Sequence, residues 1–383
     1  MNFDLTDEQQ MLQAAAREFL AARLKSERIR ELAESDDAFS EDLWREMSEL
    51  NWPGLMVSET YGGQELGMVE LVVLMEQLGY ALVPGPIFSS MLAAIALEAA
   101  ATDEQKERFL APLATGEQRG TLALWDAGAG WTPDDVTLEP EPAGGGHLLR
   151  GEKLFVLDAA TADFFIVGAT DDRRFIVERD AEGVSIIPTP TIDTTRKQYA
   201  VKLDGVKVGE EAEFGGPGAM EPARVRAYTA VAAELAGIAQ RTLEMAVQYA
   251  KERQQFNRPI GAYQAVSHRC AQMLLETEGA RSAAYYAAWA VENEPQTAPL
   301  AASMAKAYAS DAGTRVTGAS LQVHGGIGFT WEHDLHLFLK RATADAVMFG
   351  DARWHREQVA RMVIDGAPAE ASRPSPEALA AAK

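Results

Sequence analysis

The spacing of apolar residues changes period twice along this chain, and that confines it to a helical, then β, then helical order. Up to about residue 115 the spacing is helical. Thr6 and Gln9 form a capping box ahead of Met11, Leu12, Ala15, Ala16, Phe19 and Leu20. Ser40 can cap a further helix carrying Leu43, Trp44, Met47 and Leu50, stopped by Asn51-Trp52-Pro53-Gly54. A turn at Ser58–Gly63 leads into two strongly apolar helices, Val69–Leu82 and Ile87–Ala100, separated by Pro84-Gly85-Pro86. Thr102–Leu110 is a short helix behind a second Thr-x-x-Gln box.

Near Gly116 short β-branched runs take over: Thr121–Trp125, His147–Leu157, Phe164–Val167, Arg174–Val177, Val184–Ile187 and Gln198–Lys207. Ala143–Gly146 reads as a hairpin tip and Phe214–Gly218 as the linker out. The helical period then returns. Arg224–Arg253 carries small residues at Ala227, Ala230, Ala233 and Gly237, which lets helices approach closely. Further helices are predicted over Gly261–Asn293, Pro299–Val323, Glu332–Phe349 and Asp351–Ile364. The fold class is α+β: an N-terminal α domain (1–115), a middle β-barrel or sandwich domain (116–219), a C-terminal four- or five-helix bundle (220–366) and a disordered tail (367–383).

A net charge of −22 argues against non-specific nucleic-acid binding and against an anionic membrane surface. It does not bar a phosphorylated ligand held by a local arginine. The single cysteine, Cys270, rules out an internal disulfide; Val266, Met273 and Leu274 place it on a buried helix face. With no leader pattern and no apolar run long enough to span a bilayer, the expected location is cytoplasmic. His324, His333 and His336 are spaced poorly for a metal and have few acids nearby, so no metal site is predicted; His333 and His336 are assigned to an exposed helix face. No P-loop or Rossmann glycine pattern is present.

Two stretches carry the functional signal. One is Gln322–Asp351, where Gly325-Gly326 and Gly328 permit a close backbone approach or simply a helix C-cap. The other is Tyr249–His268, with Arg253, Gln255, Phe256, Ile260 and Gln264. A guanidinium grips a pyrophosphate bidentately. In this order and at this spacing the pair resembles the acyl-CoA dehydrogenase family, through R-x-x-F-x-x-x-I, a following Gln, and Q-x-x-G-G-x-G-F. The resemblance runs from Tyr61-Gly62-Gly63 to about Asp365. It implies FAD as cofactor and α,β-desaturation of an acyl-CoA thioester. It also implies that Arg253, Gln255, Phe256, Gln264, Gln322, Gly325 and Gly326 serve the adenosine and pyrophosphate half of a neighbouring subunit's FAD.

The rest of the family pattern is degraded. Where the family has T-E-P-x-A-G-S against the flavin ring, this chain has Trp125-Asp126-Ala127-Gly128-Ala129-Gly130-Trp131. A Trp and Thr pair falls at Phe155 and Leu157. The base, which must lift an α-proton as hydride leaves the β-carbon, falls at Phe349, or in other members at Ala227. Asp351 and Glu234 are the nearest carboxylates, each otherwise an exposed residue near a helix end. The catalytic residue is therefore not assigned. The leading expectation is a supporting subunit of an α2β2 enzyme acting on a bulky acyl-CoA and passing electrons to an acceptor flavoprotein. The alternatives are a self-sufficient homomeric enzyme using Asp351 or Glu234, and an FAD-free scaffold of the same fold.

Overall fold

The computed structural model describes residues 4–128 and 130–365. The predicted disordered tail lies outside them.

Seven helices come first: α1 (Asp7–Arg23), α2 (Ser26–Glu34), α3 (Glu41–Glu49), α4 (Met68–Ala81), α5 (Ile87–Ala100), and the short α6 (Asp103–Gln105) and α7 (Ala111–Ala114) flanking a π turn at Lys106–Leu110. The Thr6–Gln9 capping box forms with both of its hydrogen bonds, and Ser40 Oγ accepts from the Leu43 amide. α2 went unpredicted. Its N-cap, Lys25, makes no side-chain capping bond, so the usual start signal is missing.

The strands run from β1 (Gly120–Ala123) and β2 (Trp125–Asp126) through β3 (Glu141–Pro142), β4 (Gly146–Leu157), β5 (Phe164–Gly168), β6 (Arg173–Glu178), β7 (Val184–Thr189) and β8 (Gln198–Gly209) to β9 (Glu213–Gly215). They form two sheets. One has the order β1-β5-β6-β9, with β1 and β5 parallel; the other is antiparallel, β2-β4-β8-β7, with β3 hairpinned onto β4. Leu149, Val156, Phe165, Phe175 and Val201 pack between them, so this is a sandwich. Phe214, expected in a linker, is strand and pairs with Arg174.

The last helices are α8 (Glu221–Glu252), α9 (Gln264–Asn293), α10 (Ala298–His324), α11 (Leu335–Val347) and α12 (Ala352–Ala360). A two-residue hairpin, β10 (Gln254–Gln255) with β11 (Arg258–Pro259), joins α8 to α9. α11 begins later than expected, because residues 330–334 form turns.

The N-terminal helices and the bundle share one apolar core, in which α4 crosses α8 with backbones almost in contact. A Cβ on Gly237 would lie 1.9 Å from the Glu76 carbonyl oxygen, and one on Gly79 would lie 2.1 Å from that of Glu234. Only glycine fits at this crossing, which is the physical content of the small-residue pattern on α8.

Candidate functional site

Two cavities meet beside the start of α8. The larger, about 440 Å³, is bounded by Trp125, Trp131, Phe155, Leu157, Val347 and Phe349, with Thr121, Thr191 and Gln198 as polar neighbours. The smaller, about 40 Å³, lies between α5 and α8 and touches Leu92, Ala96, Ala227, Tyr228 and Phe349. Trp125, Trp131, Phe155, Leu157, Phe349 and Ala227, which the sequence marked as departing from the flavin and base pattern, therefore line one connected, mostly apolar region, with Arg174 and Arg224 at its smaller part. Trp125 and Trp131 pack edge to face, with ring centroids 5.5 Å apart.

Two of these side chains are held in an unusual backbone conformation. Phe155 has φ 57° at an irregularity in the β4–β8 ladder, and Phe349 has φ 56° at the end of α11. A bulky residue there costs about 1–2 kcal/mol. The surroundings hold Phe349 in place. His355 Nε2 lies 3.1 Å from the Phe349 carbonyl oxygen. The buried Lys306 donates to Gly350 O at 3.0 Å and to Ala346 O at 3.1 Å. Burial lowers the Lys306 pKa to about 7, partly offset by Asp345 and Asp351. The position where the sequence expectation put the base thus carries a firmly held phenyl ring.

Among the described residues, no Asp or Glu lines either cavity. The two rival carboxylates are committed elsewhere. Glu234 was expected to be exposed; it is buried, and its Oε1 accepts from Arg196 Nη2 at 2.5 Å and Arg341 Nη1 at 2.9 Å. Asp351 is exposed and caps α12, with Oδ1 accepting from the Trp354 amide at 2.7 Å. Neither is free to take a proton in the cavity.

The Glu234 cluster lies behind the cavity wall. The loop before β8 lines the cavity through Pro190, Thr191 and Ile192, then turns inward. Its Asp193 accepts from Arg341 Nε, Thr195 Oγ1 accepts from Arg341 Nη2 at 2.6 Å, and Arg196 Nη1 donates to Asp345 at 3.0 Å. Ser89 on α5 donates to Asp158 at 2.7 Å, where burial raises the carboxyl pKa to about 6. Burial, and then the Glu234 charge, raise Asp345 to about 8. This cluster ties α5, the sandwich and the bundle together. Its members are too far apart in the chain to have been read as partners.

The far end of α8 is different. Tyr249 stacks on His324 with centroids 4.6 Å apart, which sets the end of α8 beside the end of α10. Arg253, Gln255, Phe256 and Gln264, in the α8–α9 connection, therefore share one end of the bundle with Gln322, Gly325 and Gly326. All of these side chains are exposed, Phe256 at 87%. Phe256 and Asn257 have φ 52° and 61°, a tight mirror-image turn that lifts the phenyl ring outward. The Gln255 amide folds back onto Gln254 O at 2.8 Å. Gly325, with φ 62° and ψ −139°, needs glycine; Gly326 has open space where a Cβ would be.

Two expectations need correction here. His333 is not on an exposed helix face: it precedes α11 and packs on the buried His324, centroids 4.6 Å apart, while His336 is half-buried against Trp331. Desolvation lowers the pKa of all three histidines. Cys270 is half-buried rather than buried, because α9 leaves Leu274 and Leu275 exposed beside it.

Whether a flavin dinucleotide fits can be tested end by end. The exposed end offers the cations Arg253 and Arg258, the Gln264 and Gln322 amides and an open glycine backbone, which suits a pyrophosphate and adenosine. The cavity end offers few partners to a flavin ring, whose edge carries several nitrogens and carbonyls that need them when buried. Of the hydroxyls there, Thr121 donates to Leu157 O at 2.7 Å, Ser89 to Asp158, and Thr343 to Leu339 O at 2.7 Å, which leaves Thr191 and Gln198 in the larger cavity, with Arg174 and Arg224 at the smaller one.

Residues 6–117 match the acyl-CoA dehydrogenase N-terminal domain, and residues 225–364 match the acyl-CoA dehydrogenase C-terminal domain. The acyl-CoA dehydrogenase IpdE2 of Mycolicibacterium smegmatis is 30% identical over 359 residues, covering 94% of this chain and 98% of that protein. A chain of the ChsE4-ChsE5 complex of Mycobacterium tuberculosis superposes with a TM-score of 0.89 at 28% identity, over 96% of this chain and 100% of that one. A chain of a Tcur3481-Tcur3483 steroid ACAD variant superposes with a TM-score of 0.86 at 30% identity, over 94% and 98%. Fold, motifs and relatives agree: the chain belongs to the acyl-CoA dehydrogenase family.

Proposed function

We propose that this chain is the supporting subunit of a heteromeric, FAD-dependent acyl-CoA dehydrogenase. A related partner supplies the flavin-ring pocket and the base. The observation that carries this reading is that, among the described residues, no carboxylate lines the cavities, together with Phe349 and Ala227 where the resemblance puts the base. Arg253 holds the pyrophosphate of the partner's FAD. Phe256 and Gln264 face its adenosine, with Gln255 beside them, and Gln322 with Gly325-Gly326 forms the wall the backbone lines. FAD supplies the hydride-accepting ring; this chain contributes binding and orientation of the other half.

Geometry supports sharing between subunits. Tyr228 at the cavity and Arg253 at the exposed end are separated by about 37 Å of helix. One chain cannot close both ends on one dinucleotide. The relatives support a heteromer, since two of the similar solved chains come from complexes of two different proteins. One of those complexes is titled a steroid enzyme, which favours a bulky acyl-CoA as substrate. The expected setting is a cytoplasmic α2β2 assembly that passes electrons to an acceptor flavoprotein. Among the described residues no helix is long and apolar enough to cross a membrane.

The test is turnover. This chain alone should not desaturate a bulky acyl-CoA, whereas co-expression with a related chain carrying Glu at the base position should give an active pair. Turnover by this chain alone would contradict the reading.

A further inference from the structure

A further cavity, of about 370 Å³, opens on the opposite face of α5. It shares no lining residue with the two cavities above. Leu92 and Ala96 face those; Met91, Ile95 and Glu98 face this one. The start of α8 divides likewise, Ala223 and Ala227 on one side, Pro222 and Arg226 on the other. Its size falls within the range of small-molecule sites.

The wall is apolar apart from two charged groups, and both are incompletely satisfied. Arg226 is half-buried and forms no ion pair with a described residue; Glu98 and Glu292 act on it only at a distance. Glu292 is engaged at the start of α4, where it accepts from the Met68 and Val69 amides. Glu98 Oε1 lies 3.6 Å from Lys106 Nζ, while its Oε2 is buried without a partner among the described residues. Sheltering such groups in an apolar wall is costly unless something binds them.

The shape of that demand identifies the ligand. A guanidinium takes a carboxylate through two parallel N–H bonds. A phosphate dianion would meet one cation and a nearby Glu98 charge. We propose that this cavity is a second binding site, for an aliphatic or alicyclic monocarboxylic acid. Its carboxylate pairs with Arg226, its hydrocarbon body lies against Met56, Leu71, Met91 and Ile95, and a hydroxyl on that body meets Glu98 Oε2. The site is independent of the flavin assignment. Because α5 walls both regions, its occupant lies one helix away from the two cavities described first.

The test uses the full chain, in the assembly in which it purifies, with octanoate as probe. Octanoate should bind saturably and shift the methyl resonances of Met56 and Met91. Octan-1-ol should bind roughly tenfold more weakly or worse, since a charged hydrogen bond is lost. Arg226→Gln should weaken octanoate by a similar factor while Arg226→Lys retains part of it. Unmoved Met56 and Met91 methyls, equal binding of the alcohol, or unchanged binding by a folded Arg226→Gln would each overturn the assignment. The methyl shifts and the alcohol comparison use the unmutated protein, so they decide the matter even where a variant folds poorly.

Discussion

The two ends of α8 differ in what they leave unfinished. At the cavity end, mostly apolar side chains line the space, and the buried charges are held within the chain: Glu234 by Arg196 and Arg341, Lys306 by backbone carbonyls. At the other end an arginine, three glutamines and a phenylalanine stand in solvent, with Phe256 displayed at the tip of the β10–β11 hairpin. The first end is mostly closed on itself and offers few groups to a flavin ring. The second is incomplete as a piece of protein and well made for binding something outside it. Loss of one half-site with retention of the other is what a division of labour between two subunits would leave.

The largest expected effect breaks the closed end. Arg341→Met removes the cation shared by Asp193 and Glu234, leaving buried carboxylates uncompensated, and should cost about 3–5 kcal/mol in urea unfolding. Next comes the open end. Arg253→Ala should weaken retention of FAD in the assembled pair by about 1.5–3 kcal/mol, read as flavin released on dilution. The same change should move unfolding stability by no more than about 0.5 kcal/mol, because the side chain is exposed. If Arg253→Ala destabilised the chain and spared flavin, the contrast between the ends would collapse.

Lys306 sharpens the contrast through pH. Its pKa is lowered from 10.5 in the unfolded chain to about 7 in the folded one. Between those values the unfolded state binds more protons, so this group makes stability rise with pH from about 7 to 10. Lys306→Met should abolish that rise, measured by urea midpoints across the same range. The smallest effect belongs to Asp351→Asn. Asparagine caps nearly as well as aspartate, so stability should change by a few tenths of a kcal/mol. Turnover of the assembled pair should not change.

How much could be read from the sequence follows from how local each interaction is. The order of helices and strands was legible, because period and caps are set by neighbours: Thr6 with Gln9, and Ser40 with Leu43. The β3–β4 hairpin was marked by its glycines. The two motif stretches, and Phe349 and Ala227, could be singled out along the chain; that they gather at the two ends of α8 is a consequence of the fold. α2 was missed for want of a capping side chain. Glu234 was misjudged because a lone carboxylate on a helix looks exposed; Arg196 and Arg341, which bury it, lie on a loop and on another helix. The His324–His333 contact and the half-open setting of Cys270 depend on packing in the same way.

The measurement that tests the central claim most directly is the visible spectrum of this chain purified alone and after co-expression with a related Glu-bearing chain, with flavin counted against protein. The account predicts no bound FAD alone and about one FAD per pair of chains in the complex. About one FAD per chain in the protein purified alone, bleached by an acyl-CoA, would contradict it.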